Sequence, residues 1–349
     1  MREKVLVRAT NWVGDLVMST PALAAIRKNY PDAEITVIVR PPLQELLEGS
    51  PWADSFIPYD RKAYSGATGA ARLGRELRKY KFDRAILLQN AFEAAFIAFL
   101  AKIPVRMGYR TDGRGLLLTD GVKVSEETKK KHQIYYYLDM LAGLGLKADK
   151  SSPRLYLTDK DKEFSRAVLK ENGIGPKDLI VGINPGAQYG AAKKWFPERF
   201  AEVADRLAKQ YGTQTIIFGG PGDTGSAGAV EAAMKERAVN LAGKTGIRGL
   251  MALTKRCSLF VTNDTGPMHV SAALGVPTLA VFGSTNHIAT GPFGDGHRIV
   301  RDPVNCAPCL KRKCPLKHYK CMENVSAERV LKAAGEMLEE RLGKSGGVS

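Results

Sequence analysis

Two rhythms alternate along the chain. Short β-branched runs of four to six residues are followed by turns rich in small residues, and then by stretches whose apolar positions fall three and four apart. Residues 5–8 lead through Trp12-Val13-Gly14 into residues 15–29; residues 34–39 precede 43–48; residues 84–88 precede 93–102. Repeated strand-then-helix patterning predicts βαβ units around a parallel sheet. A second series of strands begins at residues 179–183 and continues at 215–218, 259–262 and 278–282, again with helical patterns between them.

Between the two series, residues 147–161 carry Ser151-Ser152-Pro153 and no long apolar run, which makes them the linker candidate. A chain of 349 residues is long enough for two domains with full cores. The expected fold class is α/β, with two Rossmann-like doubly wound domains, residues 1–158 and 159–325, facing a cleft. After the cap-like Ser326, residues 327–342 read as an amphipathic helix, and residues 343–349 as a frayed tail.

Composition narrows the classes. Hydrophobic residues make up 44% and charged residues 25%, and the 35 glycines follow no fixed period, which excludes fibrous and disordered chains. The start, Met1-Arg2-Glu3-Lys4, precedes too short an apolar run for a signal peptide, and the most apolar stretch, residues 85–105, is broken by Gln89, Asn90, Glu93 and Lys102. A cytoplasmic protein is expected. The formal charge of +16 calls for a polyanionic partner: nucleic acid, an anionic membrane face or a phosphorylated ligand.

Candidate chemistry lies where strands end, because ligands of open parallel sheets bind beyond the strands' carboxyl ends. Asp15 follows the first strand and reads either as a helix N-cap or as a general base. Leu259–Met268 continues to His269 through Asn263-Asp264-Thr265-Gly266-Pro267; this segment reads as a phosphate-binding helix start or as an Asx-capped turn. Asp264 suits capping or a sugar hydroxyl, since two anions repel, and His269 reads as a packed histidine. The loop Asn184-Pro185-Gly186-Ala187 permits close backbone approach, and Lys193 or Lys194 ahead of Trp195 can supply a cation for a diphosphate. Residues 220–225 match G-x-G-x-x-G and include Asp223. The next strand, however, ends in Ala242-Gly243-Lys244-Thr245 without the carboxylate that a dinucleotide's ribose requires, so the nicotinamide reading fails.

Cys306, Cys309, Cys314 and Cys321 form a four-thiol cluster, a candidate for a structural zinc ion. The spacing is not a standard two-pair pattern, so loosely packed thiols or redox-sensitive pairs stand beside it. Cys257, in an apolar run, is expected to be buried. Basic residues cluster at 72–84, at Lys129-Lys130-Lys131 and at 301–321. No nucleic-acid module accompanies them, so nucleic acid is not the expected partner.

Together, Arg8-x3-Trp12-x-Gly14-Asp15, Asn184-Pro185-Gly186-Ala187, Ala192-Lys193-Lys194-Trp195 and Asn263-Asp264-Thr265-Gly266-Pro267-Met268-His269 resemble the motifs of glycosyltransferase family 9, on the side of its heptosyltransferase II branch. The likeness runs in order over nearly the whole chain. It implies a GT-B type fold, with the acceptor bound by the N-terminal half and ADP-heptose by the C-terminal half, and a C-terminal helix packing back toward the N-terminal domain. It also implies inverting transfer of heptose, without a metal or other cofactor, from ADP-L-glycero-β-D-manno-heptose to the inner-core heptose of lipopolysaccharide.

By the same resemblance, Asp15 would be the general base and Lys193 would hold the diphosphate. Thr265 and Gly266 would contact phosphate through their backbones, Asp264 would orient the donor, and Asp223 would meet the adenosine ribose. Phe196, inserted between Trp195 and Pro197, leaves Lys194 as the alternative diphosphate contact. An anionic glycolipid acceptor implies peripheral contact with the cytoplasmic face of the inner membrane, toward which the basic clusters would draw the enzyme. Another family 9 transferase, a sugar-nucleotide 2-epimerase of the same architecture and a non-catalytic nucleotide-binding module are the competing readings.

Overall fold

The computed structural model describes residues 2–345. The chain forms two compact units, Met1–Tyr156 and Leu157–Ser349. The N-terminal unit runs β1 (Lys4–Arg8), α1 (Val13–Met18), α2 (Thr20–Asn29), β2 (Glu34–Val39), β3 (Ser55–Pro58), α3 (Gly66–Leu77), β4 (Arg84–Leu87), α4 (Phe92–Leu100), β5 (Val105–Tyr109), β6 (Asp120–Val122), α5 (Glu126–Lys130) and α6 (Gln133–Gly143). Its six strands are ordered β3-β2-β1-β4-β5-β6, all parallel.

The C-terminal unit runs α7 (Asp159–Glu171), β7 (Ile180–Asn184), α8 (Pro197–Tyr211), β8 (Gln214–Ile217), α9 (Thr224–Ala233), β9 (Ala238–Asn240), α10 (Ile247–Arg256), β10 (Leu259–Asn263), α11 (Gly266–Ala273), β11 (Thr278–Phe282), α12 (His287–Thr290), β12 (Arg298–Arg301), α13 (Lys320–Glu323) and α14 (Ala327–Ser345). Its order, β12-β11-β10-β7-β8-β9, is the same doubly wound path, again all parallel. In each sheet the winding reverses between two neighbours, β1 and β4 or β7 and β10, and the crevice beyond those strand ends is where such sheets take ligands.

Burial follows the parallel architecture. β7, β10 and β11 are buried at every position, as strands covered on both faces must be. Helix α8 starts on Pro197, whose missing N–H costs nothing in a first turn, and stops at Gly212 with φ +65°. Between these ends it buries Phe200, Val203, Ala204 and Leu207, the three-and-four spacing of a one-faced helix.

Several boundaries differ from the sequence expectation. The predicted 15–29 helix is two helices, because the Ser19 hydroxyl bonds the Leu16 carbonyl and Pro21 follows. The linker ends earlier than residue 161: Thr158 and Asp161 form a capping box that opens α7. Helix α14 continues through Gly343 to Ser345, where a frayed tail was expected; residues 346–349 lie outside the described residues. Its apolar residues Val330, Leu331, Ala334 and Leu338 are built into the C-terminal core beside Val181 and Leu279. The buried apolar face of this helix is thus used within its own unit.

Candidate active site

At the carboxyl edge of the N-terminal sheet, β1 passes through Thr10 and Asn11 into α1. Trp12 holds the N-cap position without a side-chain cap, and its side chain is exposed. Asp15 is thus the third residue of the helix and not its N-cap, which sets aside the capping role. Its carboxylate neighbours Tyr137 of α6, whose hydroxyl is pushed far up first by burial and then by the Asp15 charge.

Two buried arginines brace this edge. Arg8 lies 4.1 Å from the Tyr59 ring centroid and donates to the Ala9 carbonyl at 3.1 Å and to Asn11 Oδ1 at 3.3 Å; burial pulls its guanidinium down to about 10. Arg114, fully buried, donates to the carbonyls of Tyr109 and Gln89 and to Asn90 Oδ1, and burial likewise brings it to about 10. Both stay charged at neutral pH. A concavity of about 610 Å³ lies beside Arg2, Glu3 and Asn29. That is the amino-terminal end of β1, opposite the edge that carries Asp15.

The C-terminal sheet presents its edge through the loops after β7 and β10. Asn263, fully buried, stitches them together: its Oδ1 accepts from Trp195 N at 3.0 Å, and its Nδ2 donates to the Pro185 carbonyl at 2.8 Å. Trp195 is held in turn by its indole N–H on the Val325 carbonyl at 2.9 Å and edge-on to Phe200. This anchored tryptophan fixes the preceding turn, Ala191–Lys193. Lys193 Nζ meets Asp264 Oδ2 at 2.6 Å, with the carboxylate side chain only 4% exposed. The Thr285 hydroxyl donates to the same oxygen at 2.6 Å.

Lys194 points elsewhere, to Ser226 Oγ at 3.0 Å on α9. The structure therefore separates the two lysines that the sequence left equivalent. Helix α11 begins at Gly266 with Pro267 in its first turn; Thr265, in extended conformation at the N-cap, provides no side-chain cap. First-turn N–H groups of such a helix are open to an anion. His269 is buried in the helix interior.

Asp223 accepts from Gly220 N at 3.1 Å, and its carboxylate lies against Gly186, where a Cβ would come within 2.3 Å of the Asp223 Cγ. Only glycine at 186 lets these two loops meet. Sequence reasoning missed Thr285, although it follows a strand end, and gave no role to Arg8 or Arg114; a charged residue at the end of an apolar strand is the signal that Arg8 carries.

The four clustered cysteines line one cavity of about 20 Å³ together with Ala192 and Ser284. They are near neighbours, since Cys306, Cys309 and Cys314 all act on the Cys321 thiol. The backbone N–H groups of Tyr319, Leu316, His318 and Lys317 hold the Cys314 thiol below its usual range, and Cys321 is buried against Gly283, with burial pushing its thiol up. Among the described residues no group of three or more His, Cys, Asp or Glu is placed to hold a metal ion, so the expectation of structural zinc at Cys306, Cys309, Cys314 and Cys321 finds no support in the structure. Cys257 is buried as expected, its thiol pushed up to about 12 by desolvation. Among the described residues no helix is long and apolar enough to cross a membrane.

Comparison with known proteins accords with this architecture. The model of glycosyltransferase family 9 (heptosyltransferase) matches residues 70–320. Lipooligosaccharide heptosyltransferase 2 of Campylobacter jejuni is 31% identical, over 96% of this chain and 98% of that protein. The solved structure of Escherichia coli ADP-heptose lipopolysaccharide heptosyltransferase II is 27% identical with a TM-score of 0.82, covering 97% of this chain and 99% of that one. A family 9 glycosyltransferase from Veillonella parvula superposes with a TM-score of 0.88 at 28% identity, covering 97% of this chain and 98% of that one. Two all-parallel, doubly wound units with their charged loops at the strand ends are thus the scaffold of a known group of enzymes, and the chain belongs to glycosyltransferase family 9.

Proposed function

We propose that this glycosyltransferase moves heptose from ADP-heptose to the inner-core heptose of lipopolysaccharide, with inversion at the anomeric carbon. The observation that carries this reading is the buried Lys193–Asp264 pair beside the open start of α11. A lysine held by a carboxylate is pre-aimed, and a helix start next to it adds backbone donors, so charge appearing on a departing diphosphate meets groups already in place. In this reading Lys193 and the N–H groups of Thr265 and Gly266 take the diphosphate, Asp264 keeps the lysine aimed and orients the donor, and Asp223, pressed against Gly186, meets the ribose. Pro267 fixes the helix start, while Asn263 and His269 support the loops from within.

The N-terminal edge takes the acceptor. Asp15 accepts the proton of the acceptor hydroxyl as its oxygen forms the new bond to the anomeric carbon, while the bond from that carbon to the diphosphate oxygen breaks on the other face. Positive charge at the leaving group comes from Lys193 and the α11 start, so the proposal calls on no metal ion. The basic clusters at residues 72–84 and 301–321 favour an anionic glycolipid at the cytoplasmic membrane face over nucleic acid. The test is ADP release from ADP-heptose with truncated lipopolysaccharide acceptors. Release only with an acceptor that already carries one heptose is expected. Turnover of the nucleotide sugar without acceptor would make the chain an epimerase, and no turnover with any acceptor would leave a binding module.

A further inference from the structure

The cysteine-bearing segment after β12 does more than fill space beside the lysine loop. Three backbone-directed bonds fasten it at the donor edge: the Arg312 carbonyl accepts from Ala192 N at 3.1 Å, the Leu310 carbonyl accepts from the Tyr189 hydroxyl at 2.8 Å, and Leu310 N donates to the Ser284 carbonyl at 2.8 Å. Gly190, at φ +155°, is where the two chains come nearest, since a Cβ there would lie 2.3 Å from the Arg312 carbonyl oxygen. The position of Arg312 is therefore set by its backbone, next to the turn that carries Lys193.

The side chains converge as well. The Tyr189 ring has Lys193 Nζ at 4.8 Å from its centroid and the Arg312 guanidinium carbon at 5.4 Å. Lys193 is neutralised by Asp264, whereas Arg312 has no carboxylate partner among the described residues and is exposed. Two cations gathered on one ring, of which only Lys193 is paired with a carboxylate, leave a net positive charge at the donor edge. A face of an aromatic ring orients a cation without neutralising it. Lys311 and Lys313 flank Arg312 in sequence and make none of these contacts, so a solvated basic patch does not account for the arrangement.

We propose that Arg312 is a second diphosphate-binding cation, brought to the lysine loop by the cysteine-bearing segment. The inference rests on the reading that Lys193 faces the diphosphate of the donor. It names a residue outside the motifs on which that reading stands. A guanidinium offers forked donors to two phosphate oxygens, which the single ammonium of Lys193 cannot do.

The experiment measures, on the full chain, the affinity for ADP and for adenosine by calorimetry, and KM and kcat for the nucleotide sugar. Arg312→Ala is expected to weaken ADP about tenfold and raise KM to match, with adenosine affinity and kcat within about twofold, the pattern of lost ground-state binding. Arg312→Lys should recover part of the ADP affinity, and Lys311→Ala should leave it unchanged. Since the fastening bonds use the backbone of residue 312, the alanine variant keeps them. Equal losses for ADP and adenosine would mean that the segment is only a brace and would overturn the proposal. ADP affinity unchanged by Arg312→Ala but weakened by Lys193→Ala would overturn it while leaving the donor reading intact; ADP affinity unchanged by both would overturn both.

Discussion

The carboxyl-terminal edges of the two sheets share a strand order and hold charge in opposite ways. In the N-terminal unit the buried charges are cations, Arg8 and Arg114, which lean on carbonyls and amides and are pulled down to about 10 by burial. The carboxylate there, Asp15, sits half-buried on a helix whose N-cap offers no side chain. Beyond the strand ends of the C-terminal unit a buried anion, Asp264, is answered by a cation, Lys193, that is the more exposed of the two. One edge thus buries cations among carbonyls and amides and holds its carboxylate beside Tyr137, and the other pairs a cation with a buried carboxylate. Under the proposed function that division answers the two sides of a sugar transfer: removal of a proton from the acceptor, and relief of charge on the leaving group.

The sharpest way to break this comparison is Asp15→Asn. Loss of the proposed general base should lower transfer by about a hundredfold to ten-thousandfold, while ADP affinity, which the proposal gives to the other unit, should stay as it was. Equal losses in both would dissolve the division of labour. Next comes Trp195→Ala, which empties a packed core position and unties the lysine turn from Val325. A cost of about 3–5 kcal/mol is expected, read by hydrogen exchange as lost protection in α8 and the loop after β7 with β1 and β2 unaffected. Loss spread over both units would show them to be one cooperative body.

The smallest effect separates the lysines. Lys193→Ala removes a charge-assisted contact and should cost about tenfold or more in turnover of the nucleotide sugar, whereas Lys194→Ala, which loses Ser226, should cost less than about threefold. The reverse ranking would hand the diphosphate to Lys194.

Much of this was legible in the chain, unevenly. β2 and β11 stand where apolar β-branched runs place them, Glu34–Val39 and Thr278–Phe282, because strands buried on both faces read as unbroken apolar segments. β3, β5, β6 and β12 were passed over: they are four, five, three and four residues long and partly exposed, β3 carries Ser and Pro, and the others carry Arg, Asp or Gly. The start of α7 was readable, since Thr158 and Asp161 stand at capping-box spacing, yet the Ser-Pro stretch before them dominated the reading. Motif spacing found Asp15, Lys193 and Asp264, but no spacing rule could tell that Lys193 and Asp264 would pair or that Lys194 would turn to α9. Those facts come from loops of two different strands meeting beyond the sheet. The cysteines show the converse: their density in sequence suggested a metal, and the turn at residues 316–319 gave one of the sulfurs to backbone N–H groups.

The lysine turn draws its anchors from far downstream, the Trp195 indole from Val325 and the Ala192 N–H from Arg312. A ribosome delivers the chain from its amino end, and domains condense in that order. The N-terminal sheet can therefore close early, whereas the turn that carries Lys193 must wait for residues 312 and 325. A chain cut short of residue 312 would carry the whole N-terminal sheet and a lysine turn without either of these two anchors.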